Sequence, residues 1–325
     1  MTNLIHGDSR LLYRTLGGNM NVLSLFDGIS IGMVGLIGAG IKVNSYYASE
    51  IKEIAIKCSK DNYHSIVQIG DVCKVSYENG ILHTENGDYE TNIDIIIGGS
   101  PCQDFSQANR ERKGLEGTKS GLFYEYLRIL HEVNPKYFFF ENVVMEMREN
   151  NIISEALGVY PVNINSSLVS AQMRNRNYWT NIPGNSNDLF GNVIGQPKDR
   201  NIILEDILEY DTSKIEPFKN CVRKNIVNID VLQYLKGSGF CQIPTSSGFQ
   251  DHKVGITKSP CLRAGNSFVL VKCPNGGIRK ITVLECERLQ TIPDNFTEGI
   301  SNTQRFKAIG NGWTVDVISH IFNHI

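Results

Sequence analysis

Across residues 20–183 the chain alternates short, β-branched apolar runs with amphipathic helical ones. That alternation admits few folds other than a parallel sheet covered by helices. How each apolar run stops is the informative part. "NVLSLFDG" stops at Phe26, Asp27 and Gly28, "VNSYYASE" at Glu50, and "SIVQIGD" at Asp71. "IDIIIGGSPC" ends on Cys102, "KYFFFENV" on Glu141 and Asn142, and "VNINSSLVSAQMRNR", read as one strand, on Gln172, Arg174 and Arg176. Between them "ISIGMVGLIGAG", "IKEIAIKCSKDNY" and "GLFYEYLRILHEV" read as helices. The last places Leu122, Tyr126, Ile129, Leu130 and Val133 on one face, with Pro135 just beyond its end. Ligands of open α/β sheets bind outside the carboxyl ends of the strands, so these polar and reactive ends are expected to converge on one crevice.

At 325 residues the chain exceeds one average domain and has ample apolar content to bury. From Gly184 the composition shifts to Asn, Ser, Gly, Lys and Pro with weak periodicity. The expected division is an accessory segment at 1–19, a catalytic and cofactor-binding domain at 20–183, a smaller loop-rich domain at 184–275 and a closing segment at 276–325. In the last, "ITVLECERLQTIPDNF" resumes helical patterning and "NTQRFKAIGNGWTVDVISHIFNHI" reads as helix broken at 310–312.

Net charge is −2 and the isoelectric point is near 6.4, so contact with nucleic acid has to come from a local basic surface. The 8 cysteines show neither a C-x-x-C pair nor metal-like histidine spacing, the pattern of a reduced, cytoplasmic chain without a metal site. The first residues lack a signal-peptide core and no later run is long enough to span a bilayer, so no membrane partner is expected.

One half of the crevice suits a nucleoside. "FDGISIG" offers glycines for close backbone approach and a helix N-terminus, but it is neither G-x-G-x-x-G nor a P-loop. Glu50 can bind both hydroxyls of a ribose and Asp71 can accept from an adenine amino group; taken alone, each reads more often as an ordinary helix cap. Two carboxylates beside a ligand disfavour a phosphate-rich cofactor. A nucleoside with a positive centre fits better, and S-adenosylmethionine has one.

The other half carries reactive groups. A thiolate is a strong nucleophile only where its surroundings favour ionisation, and Arg174 and Arg176 are candidates to do this for Cys102. Pro101 fixes the backbone before the thiol, and Gly98 and Gly99 leave room for a planar substrate. A lone cysteine would read as packing, but Glu141 closes the buried run "KYFFF", an apolar setting in which a carboxyl tends to hold a proton. After Cys102, "QANRERKGLEGTKSG" offers Arg110, Arg112, Lys113 and Lys119 to phosphates as a closing loop.

"GGSPCQDFS", "FFFENV", "QMRNR" and "ECERLQTIPDNF" together resemble the motif series of the DNA cytosine-5 methyltransferases, in the family's order from Phe26 to Trp313. The likeness extends to bacterial and phage enzymes and, at "FDGISIG" and "GNGW", to the vertebrate de novo enzymes. It implies an α/β, Rossmann-like S-adenosylmethionine-dependent methyltransferase sheet with a smaller, loop-rich target-recognition domain, and a C-terminal segment that returns to the large domain. It implies that Cys102 adds to carbon 6 of a flipped-out cytosine in double-stranded DNA while Glu141 contacts the ring, with Arg174 and Arg176 holding the base. By the same resemblance Phe26, Asp27, Gly28, Ile29, Ser30, Glu50, Ile51, Asp71, Val72, Asn311 and Trp313 hold the cofactor. Pro101, Gln103, Ser106, Asn142, Gln172 and Gln250 contact the substrate.

Two departures stand out: Ser30 replaces a common glycine, and Cys261 stands where a Thr is common. A cognate restriction endonuclease is an expected partner, and no oligomer is predicted. The competing readings are a tRNA cytosine-5 methyltransferase using the same residues, whose usual Cys-Phe-Thr signature is missing, and a catalytically silent DNA-binding homologue. A nicotinamide-dependent dehydrogenase is disfavoured by the absence of G-x-G-x-x-G.

Overall fold

The computed structural model describes residues 19–101, 121–188, 191–209, 239–243, 253–255, 257–264, 268–272 and 278–325. Cys102, Gln103, Ser106 and Gln250, with the basic loop after Cys102, lie outside the described residues.

The apolar runs become β1 (Met20–Leu25), β2 (Val43–Ser49) and the short β3 (Val67–Gln68). An antiparallel meander follows, β4 (Ser76–Glu78), β5 (Ile81–Thr84) and β6 (Gly87–Glu90). Then come β7 (Ile95–Gly98), β8 (Tyr137–Val143), β9 (Val162–Asn165) and β10 (Asn175–Thr180). Seven of these form one sheet in the order β3-β2-β1-β7-β8-β10-β9. The pairs β1–β2, β2–β3, β1–β7 and β7–β8 are parallel, whereas β10 runs antiparallel to both β8 and β9. Chain order reverses direction between β1 and β7, the switch point at which such sheets open a crevice.

The helices α1 (Ile31–Gly38), α2 (Glu53–Asn62), α3 (Gly121–Val133) and α4 (Met147–Leu157) lie between the strands in sequence. Both sheet faces are covered, which is why the central strands read as unbroken apolar runs. Period-2 alternation sends Val22, Ile95, Ile97, Phe139 and Tyr178 into one core with residues of α1, and Leu23, Leu25, Ile96, Phe138, Phe140 and Trp179 into another with Phe123, Tyr126 and Ile129 of α3. On α3, Leu122, Leu130 and Val133 are only partly buried; Phe123, at the helix start, takes the buried place.

Three features differ from the sequence reading. The stretch "VNINSSLVSAQMRNR" is not one strand. It forms β9, a 3-10 turn at Ser166–Leu168, an isolated bridge from Gln172 to Ser259, and the first residues of β10. Because β10 is antiparallel, Arg176 enters the crevice from the start of its strand and faces Val143 at the end of β8. The β4–β6 meander was not expected either, although Asn79 and Gly80 (φ 51° and 80°) form the two-residue turn that joins Glu78 to Ile81. Helix α4 is the third.

Beyond the main sheet, β11 (Ser186–Asp188) pairs with β12 (Gly191–Val193), and a one-turn helix α5 (Leu204–Ile207) follows. A small antiparallel sheet orders β13 (Gly239–Ile243), β14 (Lys253–Gly255), β15 (Phe268–Lys272) and β16 (Ile278–Lys280) as β14-β13-β15-β16. Since β16 pairs with β15, this sheet reaches past the boundary expected at residue 275. The closing segment forms α6 (Val283–Leu289), α7 (Asn302–Asn311) and α8 (Val315–Phe322), broken near the expected glycines. Among the described residues no helix is long and apolar enough to cross a membrane.

Helix α8 returns to the large sheet by packing on α1. Ser319 Oγ donates to the Gly35 carbonyl at 3.0 Å. A Cβ on Gly35 would lie 2.4 Å from Ile318 Cδ1 and 2.5 Å from its Cγ1. Gly35→Ala is therefore expected to overpack this contact and destabilise the protein by about 1–3 kcal/mol. The loss should appear as a lower urea midpoint at unchanged slope; an unchanged midpoint would show that the two helices part easily.

Candidate active site

The turn from β1 into α1 holds three residues in left-handed conformation, Phe26 (φ 58°), Gly28 (φ 64°) and Ser30 (φ 59°), two of them not glycine. Asp27 stabilises it. Its carboxylate accepts from Ser24 Oγ at 2.6 Å, Ser30 Oγ at 2.5 Å and Tyr46 Oη at 2.7 Å. Burial raises the Asp27 pKa above its ordinary value, although the three hydroxyl donors act in the opposite direction. Asp27 is thus turned into the protein, not toward a ligand, and its carboxyl is a scaffold for the turn. Ile29 and Ser30 are buried, while Phe26 and Gly28 are half-buried.

Glu50 follows β2 and is buried. Its Oε2 accepts from the Gly28 N–H at 3.0 Å, and its Oε1 from the N–H groups of Ile51 at 2.8 Å and Lys52 at 2.9 Å. An ionised carboxylate has about four acceptor positions, so three fixed donors orient it and leave capacity for a hydroxyl. Beside it Ile51 is 68% exposed, a large apolar side chain left uncovered at the rim. Asp71 caps the 3-10 turn Val72–Lys74, accepting from the Cys73 N–H at 3.0 Å. Its own N–H donates to Glu85 Oε1 at 2.9 Å, which latches the meander onto this end of the crevice. Val72 is buried beneath.

At the other end Glu141 lies two residues after Phe139, on the same face of β8. Arg176 and Tyr178 share that face on β10, where Tyr178 is the register partner of Glu141. Arg176 Nε lies 3.0 Å from Glu141 Oε1, and the Trp313 indole Nε1 donates to Oε2 at 3.0 Å. Both side chains of the ion pair are largely buried, at 15% and 12% exposure. The Trp313 ring also stands edge-on to Phe139, with centroids 5.2 Å apart. The environment of Glu141 is therefore not the apolar one expected from "KYFFF", because β10 runs back beside it and brings a cation. Nor do the glycines leave an empty slot. A Cβ on Gly98 would meet the Tyr126 ring at 3.0 Å, and one on Gly99 would meet Glu141 Oε2 at 3.0 Å and Trp313 Nε1 at 3.3 Å.

Several residues expected to touch a ligand form internal braces. Arg174 is buried, with Nη1 donating to Cys261 Sγ at 3.3 Å and Leu262 O at 3.1 Å, and Nη2 to Gly310 O at 3.4 Å and Gly312 O at 2.9 Å. Gln172 is fully buried. It donates to Leu289 O at 3.0 Å and Gln290 Oε1 at 3.1 Å and accepts from the Leu262 N–H at 2.7 Å. Asn142 accepts from the Val143 N–H at 2.8 Å and donates to Ser100 Oγ at 3.5 Å, bracing the backbone just before half-buried Pro101. Asn311 is exposed at the end of α7.

The sequence reading assigned nothing to Gln290, yet it joins these braces. Its Nε2 donates to Ile309 O at 2.9 Å and Gly312 O at 3.0 Å, and its Oε1 also accepts from Thr314 Oγ1 at 2.8 Å. Polar Glu285, Glu287 and Gln290 are all fully buried within "ECERLQ", a density of buried polar groups that itself signals a bracing motif.

The single reversed strand β10, the switch point and the two chemically distinct ends of the sheet place the chain among Rossmann-like methyltransferases. The model of the C-5 cytosine-specific DNA methylases matches residues 20–325, and the chain belongs to that family. Its activity is the methylation of cytosine in DNA. It is 29% identical over 308 residues to the type II methyltransferase M1.ScrFI of Lactococcus lactis subsp. cremoris, an alignment covering 86% of this chain and 71% of that one. It is 30% identical over 210 residues to the orphan methyltransferase M.Rho11sI of Bacillus phage rho11s, covering 62% of this chain but 37% of the phage protein. In fold it resembles the Dnmt2 methyltransferase of S. pombe, with a TM-score of 0.63 at 18% identity over 94% of this chain and 98% of that one.

Trp313→Phe keeps the ring on Phe139 and deletes the N–H that Glu141 accepts. A hydrogen bond to a charged group contributes about 1.5–3 kcal/mol, so the single-turnover methylation rate is expected to fall about 10-fold or more with little change in cofactor affinity. The opposite pattern, weakened cofactor binding at an unchanged rate, would move Trp313 to the cofactor side where the resemblance put it.

Proposed function

We propose that the chain methylates carbon 5 of a flipped-out cytosine in double-stranded DNA through a covalent adduct at Cys102. The observation that carries this is the fixed Glu141 carboxylate, gripped by Arg176 and Trp313 on the strand next to the one that leads into Cys102. A cytosine inside a duplex hides both faces of its ring, so a carboxylate so deeply set requires the base to leave the stack.

S-adenosylmethionine, when bound, supplies the electrophilic methyl group. The residues at the first end of the crevice fit its nucleoside. The Glu50 carboxylate is pre-oriented for ribose hydroxyls and exposed Ile51 offers apolar cover, with Phe26 across the turn. Asp71 and Val72 border the adenine edge, and Asn311 would close the methionine side, whereas Trp313 serves Glu141. Asp27, Gly28, Ile29 and Ser30 shape the turn rather than present side chains. No phosphate is called for, in keeping with the carboxylates at the strand ends.

At the reacting end the Cys102 thiolate forms a bond to carbon 6 and raises the electron density at carbon 5, the atom to which a bound cofactor would supply its methyl group, the sulfonium leaving as a neutral thioether. Transfer of the carbon 5 proton to water then returns an electron pair to the ring and expels Cys102 as thiolate. Glu141 accepts from the exocyclic amine and shares a proton with ring N3, and Arg176 fixes its carboxyl group. Arg174, Gln172 and Asn142 act one layer back, holding the segments that carry these groups. Gln103, Ser106 and Gln250 are assigned to the DNA, as are the basic side chains after Cys102, and residues 184–275 to target recognition. The type II name of one relative supports a cognate restriction endonuclease as counterpart, and the orphan name of the phage relative supports a free-standing enzyme.

Incubation with labelled S-adenosylmethionine and mixed-sequence duplex DNA, followed by bisulfite sequencing, should reveal protected cytosines in one sequence context. Cys102→Ser should abolish product while cofactor binding survives, and DNA carrying 5-fluorocytosine should leave an adduct on Cys102. Label in transfer RNA and none in DNA would replace this reading with the RNA one.

A further inference from the structure

Beside Glu141 lies a sulfur that the chemistry above does not use. Cys261 belongs to residues 257–264, which are anchored along 171–173: the Ser259 N–H donates to Ala171 O at 2.6 Å, and the Met173 N–H to Ser259 O at 2.8 Å. The adjacent Leu262 N–H donates to Gln172. The sulfur is thus held in place by backbone bonds, and it accepts from two arginines at once, Arg174 Nη1 at 3.3 Å and Arg176 Nη2 at 3.8 Å.

The Arg176 guanidinium reaches several acceptors. Nε goes to Glu141 Oε1 at 3.0 Å, Nη1 to the Asn175 carbonyl at 2.8 Å, and Nη2 to Cys261. The planar fork fixes the relation among these directions, so whatever holds Nη2 also sets how Nε meets the carboxylate.

We propose that Cys261 is a positioning residue for methyl transfer: by accepting from Arg174 and Arg176 together, its sulfur holds the Arg176 guanidinium in the orientation that grips Glu141. The proposal rests on the reading that Glu141 contacts the target base. It makes residues 257–264 part of the machinery that aims the carboxylate.

The charges around the sulfur favour this role. Burial opposes ionisation of the Cys261 thiol, but the Arg174 and Arg176 charges and their N–H groups outweigh it and hold the thiol below its ordinary 9.0. The other titratable groups facing it are Glu141, across Arg176, and the Tyr178 phenol, which burial raises and keeps neutral. Its own S–H is aimed at the Leu262 carbonyl, 3.4 Å away, which leaves the sulfur lone pairs to the two guanidiniums.

The test compares wild type, Cys261→Ala and Cys261→Ser in single-turnover methylation of duplex DNA at saturating S-adenosylmethionine, alone and combined with Arg176→Lys. Cys261→Ala should lower the rate about fivefold or more, with cofactor affinity unchanged and the thermal midpoint within about 2 °C of wild type. Cys261→Ser should recover part of the loss. In the Arg176→Lys background Cys261→Ala should change the rate by less than about twofold. A rate that Ala leaves unchanged, a serine variant as slow as alanine, or additive losses would each overturn the proposal.

A second measurement does not depend on turnover. The pH dependence of iodoacetamide alkylation at Cys261, followed by peptide mass spectrometry, should have its half-point below 9.0 and move upward in Arg176→Lys. A half-point at or above 9.0 in wild type, or one indifferent to Arg176, would sink the idea even where DNA proves not to be the substrate. Absence of methylation by wild type would instead count against the functional reading.

Discussion

Arg176 and Trp313 approach the Glu141 carboxylate at opposite oxygens, one a cation and the other a neutral donor, each at 3.0 Å. A carboxylate this deeply set is stable in water-poor surroundings only while both partners stay. Much of the described structure can be traced to keeping them there. Period-2 geometry puts Glu141 and Arg176 on one sheet face. The antiparallel turn of β10 brings the arginine alongside the end of β8, and Phe139 supplies the ring against which the indole stands. Gln290 and Arg174 then fix the carbonyls at 309–312 that lead into Trp313, and Gln172 braces Gln290 in turn. Removing one partner would leave charge without compensation.

The opposite end of the crevice follows another logic. There the backbone is bent sharply, and the side chains that might have met a ligand hold the bend. Asp27 satisfies three hydroxyls, one of which belongs to the left-handed Ser30. That hydroxyl also bonds Ser59 of α2 at 2.5 Å, so the serine standing where glycine is common has a partner on each side. The strain of a non-glycine residue in this conformation is offset by hydrogen bonds that a glycine could not make.

The sheet was legible because strands buried on both faces are written as unbroken apolar runs, and their ends fell at Leu25, Ser49 and Gly98, close to where the sequence places them. "VNINSSLVSAQMRNR" reads as one strand because its serines and asparagines suit a strand edge as readily as the turn they form. The β4–β6 meander is announced in the sequence only by the Asn79–Gly80 pair of its first hairpin. At the site, residue types at strand ends were readable, but the direction of a side chain was not. Asp27, Arg174, Gln172 and Asn142 all satisfy buried backbone or hydroxyl groups that exist only once distant segments have met. Gln290 could not be assigned for the same reason, since its partners include the carbonyls of Ile309 and Gly312.

The packing of α8 on α1 has a consequence for the timing of synthesis. The first helix of the sheet emerges early, but the face it offers at Gly35 is covered by Ile318, Ser319 and Phe322. A nascent chain that already carries the strand bearing Glu141 still lacks the indole that holds it, and exposes the apolar side of α1. The Glu141 carboxylate therefore gains its indole donor, and the Gly35 face of α1 its cover, only once the closing segment has docked.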